Sequence, residues 1–314
     1  MLRAANLALG VAAGLAGVVG LAEYLHRRDS AATIARLEAG SRVAETRLGP
    51  IEYAVSGEGP AVLVLHGAMG GYDHGLLIGV LLPGFRIIAP SRFGYLRSPL
   101  PDDPSHEAQA DRYAALLDVL GIERAAVVGI SAGGPSAIQF ALRHPDRCSA
   151  LGLISAISQP PRAPTTPALR LLLETMLRAD LLFWLLMTLD IDRLVAINGL
   201  TADEQLAASA PAQRELMRAI SRTAPLRLRR AGLINDLLSE HDMSGWELGH
   251  IRVPTLVAHG DTDPLVHTDN GRHSASAIPG AELLLLPNSG HMAVVTRQEA
   301  ILPALRRVLG SVEF

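Results

Sequence analysis

The stretch Ala125–Gly133, AAVVGISAG, decides the fold of this chain, and a helix-like segment, Pro135–His144, follows it. It begins apolar, as a buried strand does, and it ends in a G-x-S-x-G motif. A strand, a sharp turn and a helix in this order form a nucleophile elbow, in which small neighbours tolerate a strained serine backbone. The helix N-terminus then lies beneath the hydroxyl. The pattern predicts that Ser131 is a nucleophile; an ordinary glycine-rich turn is the alternative interpretation.

Length and composition are typical of one α/β domain with additions. The chain has 314 residues, of which 49% are hydrophobic and 19% charged, with a formal net charge of -3. A chain of this size can bury a full core in a single domain. The near-neutral balance argues against nucleic-acid binding, which needs a clustered basic face. The single cysteine, Cys148, excludes an intramolecular disulfide, and no cluster of His, Cys and carboxylate residues predicts a bound metal.

The N-terminal segment, residues 1–30, is a separate unit. Ala4–Ala22 carries no charged residue, and as a helix it would reach close to the ~30 Å of a bilayer core. Three interpretations compete: a signal peptide cleaved after Gly20-Leu21-Ala22, an uncleaved membrane anchor, or an apolar helix docked on the body. We favour the anchor, so we expect membrane association through Ala4–Ala22, or export if the segment is cleaved.

The rest of the chain alternates short apolar runs with helix-like segments. Continuous apolar strands that alternate with helices indicate a doubly wound, mostly parallel sheet covered on both faces. Such sheets bind ligands outside the carboxyl ends of their strands. We predict this α/β core over residues 42–158 and 250–314, with strands at Val43–Leu48, Ile51–Val55, Ala61–Leu65, Phe85–Ala89, Ala125–Gly129, Ala150–Ser155, Thr255–His259 and Glu282–Leu286.

Residues 159–249 interrupt this alternation. They begin with a proline-rich stretch and then contain helical patterns without a strand candidate, at Leu171–Leu189, Ala212–Arg222 and Leu226–Leu238. Because the insertion leaves from the ligand-binding edge of the sheet, we interpret it as a helical cap that acts as a lid. A peripheral subdomain that only packs on the body is the alternative. The Leu, Met, Phe and Trp content of the cap, Trp184 included, suits an apolar pocket.

A serine nucleophile needs a base, and the base needs an acid that orients it. His291 follows the last strand candidate and is the predicted base. Asp263 follows the penultimate strand candidate and is the predicted acid, with Asp261 as its competitor. The order Ser, Asp, His along the chain is that of the α/β-hydrolase triad.

An oxyanion hole needs two backbone N–H groups. Ala132 follows the nucleophile directly, and Ala68 lies in the glycine-rich loop after Ala61–Leu65, with Met69 as second choice. We expect the ring of His66 to brace that loop. The residues predicted to contact the substrate are Gly67, Met69, Ile130 and Trp184.

From Val43 to the C-terminus, the cap excepted, the chain resembles the α/β-hydrolase superfamily. The resemblance rests on His66-Gly67, Gly129–Gly133, Asp263 and Gly290-His291, and it is greatest to the lid-bearing serine esterases, which are grouped with lactonases and C–C bond hydrolases. Two features differ: Ala89–Gly94 lacks the acidic residue common after the second parallel strand, and Gly67–Gly71 is not the three-glycine version. The resemblance implies acyl transfer to water with neither a metal nor an organic cofactor.

The sequence therefore predicts a carboxylesterase acting on small to medium, apolar ester substrates. A C–C bond hydrolase, a lactonase or a perhydrolase would use the same triad, and sequence separates these activities poorly because the lid pocket decides. The hypothesis from another class is a non-catalytic, membrane-tethered binding protein; the presence of all three triad residues counts against it.

Overall fold

The computed structural model describes residues 2–160, 166–189, 211–221, 225–238 and 243–310. The proline-rich start of the predicted cap, after Pro160, and Arg222 at the end of one predicted helix lie outside these residues.

An eight-stranded sheet in the order β1-β2-β4-β3-β5-β6-β7-β8 forms the centre of the molecule. β1 and β2 are antiparallel to each other, β2 is antiparallel to β4, and every later pairing is parallel. The fold class predicted from the sequence is confirmed. The strands are β1 (Arg42–Thr46), β2 (Gly49–Ser56), β3 (Ala61–Leu65), β4 (Arg86–Pro90), β5 (Ala125–Ile130), β6 (Cys148–Ile154), β7 (Thr255–Gly260) and β8 (Glu282–Leu286).

The central strands are buried on both faces because helices cover each side of the sheet. β3, β6 and β7 are buried at every position. Along β3 the side chains alternate, so Val62 and Val64 pack into one apolar cluster while Leu63 and Leu65 pack into the other. This double burial explains the continuous apolar runs in the sequence.

The helices follow the expected alternation but differ from the predicted bounds. The predicted helix Leu171–Leu189 is two helices, and Asp180 at the start of the second accepts a hydrogen bond from the Arg227 amide at 2.9 Å. The chain after β8 likewise forms two helices, Ala293–Thr296 and Gln298–Gly310. The helices are α1 (Leu2–Ala39), α2 (Tyr72–Gly79), α3 (His106–Val119), α4 (Gly134–Arg143), α5 (Pro167–Met176), α6 (Asp180–Leu189), α7 (Pro211–Ser221), α8 (Arg230–Leu238), α9 (Asp269–Ala277), α10 (Ala293–Thr296) and α11 (Gln298–Gly310).

Helix α1 extends past the predicted segment 1–30 and ends against the body. Leu37 is 3% exposed, and its carbonyl accepts a hydrogen bond from the Tyr72 hydroxyl at 2.6 Å. Within the part of the chain that the structure describes, no helix combines the length and apolarity that crossing a membrane requires.

Between β6 and β7 the described residues form the helices α5 to α8 and two short 3₁₀ turns, Leu226–Leu228 and Leu248–His250. This insertion contacts the loops that follow β3 and β4. Two backbone hydrogen bonds connect it to the loop after β4. They run from Leu96 N–H to the Leu228 carbonyl at 2.6 Å and from Gly232 N–H to the Gly94 carbonyl at 2.9 Å.

Candidate active site

Ser131 lies in the turn between β5 and α4. Its φ is +52°, a left-handed conformation that is strained for a residue with a side chain. The flanking glycines are needed because the turn is crowded: a Cβ at Gly129 would lie 2.6 Å from Cβ of Ala137, and one at Gly133 would strike the Leu65 carbonyl. The Ser131 carbonyl accepts a hydrogen bond from the Ile157 amide at 3.0 Å. The chain thus forms a nucleophile elbow.

The structure brings Ser131, His291 and Asp263 together from three separate loops. His291 Nε2 lies 2.9 Å from Ser131 Oγ, and His291 Nδ1 lies 2.7 Å from Asp263 Oδ2. With the Nδ1 proton donated to the carboxylate, Nε2 is left to accept the serine proton. This is the arrangement of an activated nucleophile, its base and an orienting acid.

Asp263 and Asp261 have different surroundings although only Thr262 lies between them in the sequence. Asp263 is 4% exposed, and its Oδ1 accepts hydrogen bonds from the Leu265 and Val266 amides, each at 2.9 Å. These bonds hold the carboxylate with Oδ2 toward His291. Asp261 Oδ1 instead accepts from the Ser289 amide at 3.4 Å, so it braces the loop that carries His291.

A second histidine, His259, lies beneath the acid and was not singled out by the sequence. Its Nε2 donates to the Val266 carbonyl at 2.8 Å and lies 3.6 Å from Asp263 Oδ2. Burial lowers the pKa of His259, so the ring is neutral at neutral pH and supports the Asp263 turn without competing for its charge. Its position at the end of β7 was the signal available in the sequence.

The loop after β3 passes beside Ser131. A Cβ on Gly67 would lie 3.1 Å from Cβ of Ser131, and one on Gly70 would lie 2.6 Å from Nδ1 of His66. His66 donates from Nδ1 to the Gly67 carbonyl at 2.7 Å and accepts at Nε2 from the Arg92 amide at 2.9 Å. Burial and the nearby Arg92 charge lower the pKa of His66 well below its usual value. His66 therefore braces the loop as a neutral ring.

Ala68 and Ala132, the two predicted oxyanion donors, belong to this loop and to the turn after Ser131. The alternative donor, Met69, lies in the same loop and has a φ of +62°. Ile130 is the last residue of β5 and is partly buried next to the elbow.

The cap places an apolar cluster beside the loop after β3. Its buried members and the residues packed against them are Tyr95, Leu226, Leu233, Ala68, Met69, Leu177 and Phe183. Trp184 is not brought to this site. Successive side chains on a helix point about 100° apart, so Phe183 packs against this cluster while the Trp184 ring packs on His26 of α1, with ring centroids 5.7 Å apart.

Among the described residues, no group of three His, Cys, Asp or Glu side chains could hold a metal ion.

Comparison with known proteins gives the family. Residues 60–298 match the model of the α/β-hydrolase fold family. The chain belongs to this family. Among its relatives, the hydrolase YcgS of Bacillus subtilis is 30% identical over 80% of this chain and 92% of its own length. The 2-hydroxy-6-oxononadienedioate/2-hydroxy-6-oxononatrienedioate hydrolase of Comamonas testosteroni is 31% identical over 76% of this chain and 83% of its own length.

A solved structure agrees with the assignment. The α/β-hydrolase fold protein from Nakamurella multipartita has a TM-score of 0.69 and 30% sequence identity, and the match covers 86% of this chain and 98% of that one. The family and these relatives agree on hydrolysis as the reaction class.

In this α/β-hydrolase two buried ion pairs fasten the cap to the core. Arg229, which directly precedes α8, binds Asp73 with Nη2 2.7 Å from Oδ2 and also donates to the Gly70 carbonyl. Arg92, in the loop after β4, binds Asp236 of α8. Burial alone would raise the pKa of Asp73, but the Arg229 guanidinium holds it well below its usual range. Sequence reasoning missed both pairs, because each joins residues far apart along the chain.

Proposed function

We propose that this hydrolase cleaves carboxylic esters of small to medium, apolar substrates through an acyl-enzyme. The observation that carries the proposal is the continuous hydrogen-bonded chain from Ser131 Oγ through His291 to Asp263, with distances of 2.9 Å and 2.7 Å. A serine hydroxyl is a weak nucleophile until such a base takes its proton.

In the first half of the proposed reaction, His291 Nε2 takes the proton of Ser131 as Oγ attacks the ester carbonyl. The carbonyl oxygen becomes an oxyanion, which the Ala68 and Ala132 amides stabilise. The imidazolium, held by Asp263, then donates its proton to the alkoxide leaving group as the C–O bond breaks. The alcohol departs, and the acyl group stays on Ser131.

In the second half, His291 takes a proton from water, and the hydroxide attacks the acyl-enzyme carbonyl. The same amides stabilise the second oxyanion. His291 returns its proton to Ser131 Oγ as the acyl bond breaks, and the carboxylic acid product leaves. All bonds and protons balance with water as the only co-substrate.

An apolar substrate fits the surroundings of the site. The cap cluster that packs on Ala68 and Met69 is built from aliphatic and aromatic side chains, including Phe183. The two fully buried arginines of this region, Arg92 and Arg229, are both in ion pairs with aspartates. Their charges are neutralised by the protein, which favours an uncharged acyl group over a carboxylate-bearing one.

The test compares wild type with Ser131→Ala on p-nitrophenyl esters of short, medium and long acyl chains. We expect wild-type turnover and a loss of about 10³-fold or more in the variant. The chain length with the highest kcat/KM then measures the acyl pocket. If wild type hydrolyses none of these esters while it is fully folded, the ester proposal is wrong.

A second candidate is hydrolysis of a C–C bond by the same triad, and the relative from Comamonas testosteroni favours it. Wild type and Ser131→Ala are therefore also assayed on 2-hydroxy-6-oxononadienedioate. Turnover of this substrate with a higher kcat/KM than any ester would replace the ester proposal with the C–C proposal. Because that substrate is a dicarboxylate, its turnover would also contradict the argument from the neutralised arginines.

A further inference from the structure

A cavity of about 1010 Å³ lies between α1, α2 and the cap helices α6 and α7. None of Ser131, Asp263 and His291 lines it, so it is separate from the active site. Its volume is at the upper end of the roughly 300–1,000 Å³ that small-molecule sites occupy.

One wall of this cavity is apolar. Helix α2 supplies Leu76 and Leu77, Val80 follows the end of that helix, and α6 supplies Trp184 and Met187. Val80 is 74% exposed and thus gives the mouth an apolar edge. A hydrocarbon chain lying along this wall would remove these side chains from water, and that burial drives binding in proportion to the apolar area covered.

The opposite wall, from α1, holds a buried hydroxyl that lacks a partner. Ser30 lines the cavity and is 5% exposed, and its Oγ has no hydrogen-bond partner. His26, one turn before it, does not line the cavity: its Nδ1 lies 3.7 Å from Glu23 Oε2, and its ring packs on the cavity residue Trp184. Buried polar groups are almost always hydrogen-bonded, so the Ser30 hydroxyl indicates a polar ligand atom at this wall.

The charges around the cavity indicate the sign of that ligand. Asp29 pairs with Arg28 at 3.3 Å, and Asp73 pairs with Arg229 at 2.7 Å. Among the described residues that line the cavity, Arg36 is the cation without a carboxylate partner. Arg36 is exposed to solvent on α1 and lines the cavity together with Ser30 and Thr33. A negative group at this wall would be attracted to Arg36 and could accept hydrogen bonds from it and from Ser30.

We propose that this cavity binds a single-chain fatty acid, with its carboxylate at Arg36 and Ser30 and its hydrocarbon chain along Leu76, Leu77 and Trp184. The proposal goes beyond the hydrolase activity and does not depend on it. Binding is measured on the full chain and needs no turnover.

The first measurement uses tryptophan fluorescence. The chain has two tryptophans, so Trp246→Phe leaves Trp184 as the reporter. A dodecanoic acid brominated at its chain end is added below its aggregation concentration. We expect saturable quenching, reversed by competing unlabelled dodecanoate. Isothermal titration calorimetry of wild type with dodecanoate gives the affinity independently, so the test stands even if the tryptophan variant folds poorly.

Three comparisons localise the binding. Arg36→Gln and dodecanol in place of dodecanoate should each weaken binding about tenfold, because each removes one partner of a charge-assisted hydrogen bond. Arg47→Gln, at an exposed arginine outside the cavity, should leave the affinity unchanged. Ser30→Ala should weaken binding while raising the thermal midpoint of the ligand-free chain, because it removes a buried unpaired hydroxyl.

Non-saturable quenching, or no heat of binding with folded wild type, would overturn the proposal. So would equal affinities for dodecanoate and dodecanol, or an Arg36→Gln affinity equal to that of wild type.

Discussion

The two oxygens of the Asp263 carboxylate have separate partners: Oδ1 accepts the Leu265 and Val266 amides, and Oδ2 faces His291. Asp263→Asn replaces the acceptor facing His291 with a group that can present N–H, so the imidazole loses its orientation and the charge that stabilises its protonated form. We expect kcat on the best ester to fall about 10³- to 10⁴-fold.

Asp261→Asn is the matched control, because it makes the same chemical change in the same loop at a carboxylate whose Oδ1 accepts a hydrogen bond from the Ser289 amide at 3.4 Å. Its kcat should stay within about tenfold of wild type. Losses of similar size in both variants would contradict the assignment of Asp263 as the orienting acid.

Buried histidines make stability depend on pH. Burial lowers the pKa of His74 from 6.5 to about 4, so the folded ring stays neutral while an unfolded chain takes up a proton below about pH 6.5. The stability contributed by the neutral His74 ring is therefore complete above about pH 6.5, and the free energy of unfolding falls as the pH drops from about 6.5 toward 4. The contribution of His74 to this loss is on the order of 3 kcal/mol.

Urea unfolding at neutral pH and near pH 5 measures this loss in wild type and in His74→Leu. The variant should lose less stability between the two pH values than wild type does. Parallel losses in the two proteins would show that His74 is not one of the groups responsible.

Strand β5 and helix α4 pack closely against each other at Gly129. A methyl group there would lie 2.6 Å from Cβ of Ala137, so Gly129→Ala must push α4 away from the strand. We expect a loss of about 1–3 kcal/mol in unfolding free energy, together with a lower kcat because Ser131 moves with the turn. Gly249→Ala is the control, since its nearest neighbour, the Ala277 carbonyl, would be 3.8 Å away. A stability loss of the same size in both variants would contradict the crowding argument.

Arg229 joins three elements, because it pairs with Asp73 of α2, donates to the Gly70 carbonyl and precedes α8. Arg229→Met leaves the Asp73 carboxylate without its charge partner, and we expect a loss of about 3 kcal/mol. Adding Asp73→Asn should restore part of it.

Arg143→Met provides the comparison for this pair. Arg143 binds Asp111 at 2.7 Å but its side chain is 42% exposed, so its loss should cost about 1 kcal/mol or less. The losses are measured by urea unfolding. Equal losses for Arg143→Met and Arg229→Met would mean that burial does not increase the stability contributed by the Arg229–Asp73 ion pair.

For the whole molecule, the fastened part of the cap should behave as part of the core. Helix α8 carries Asp236, which binds Arg92, and buries Leu233 to 2% exposure, whereas Leu171 of α5 is 65% exposed. We expect the amides of α8 to exchange hydrogen at least about tenfold more slowly than those of α5, because protection follows local burial and bonding. Similar exchange rates in the two helices would indicate a cap that opens as one body.

The sequence by itself determined the parts of the molecule whose signals are local. The continuous apolar run predicts β3 at its observed bounds, because burial on both faces demands apolar residues at successive positions. The bounds of β8 also match the prediction, although only Leu286 of that strand is buried. The G-x-S-x-G motif predicts the strained turn at Ser131, because only small neighbours fit there. Chain order pointed to His291 and Asp263, since residues after parallel strands meet at one edge of a sheet.

The tertiary structure decided what depends on contacts between distant segments. Nothing near Arg229 or Asp236 in the sequence reveals their partners, since ion pairs across more than a hundred residues leave no periodicity. The direction of Trp184 was decided in the same way: helical phase turns Phe183 to the apolar cluster of Tyr95, Leu226 and Leu233, and Trp184 to α1. Local patterns follow from the geometry of one strand or helix, whereas a cavity or a buried pair exists only once separate elements have packed together.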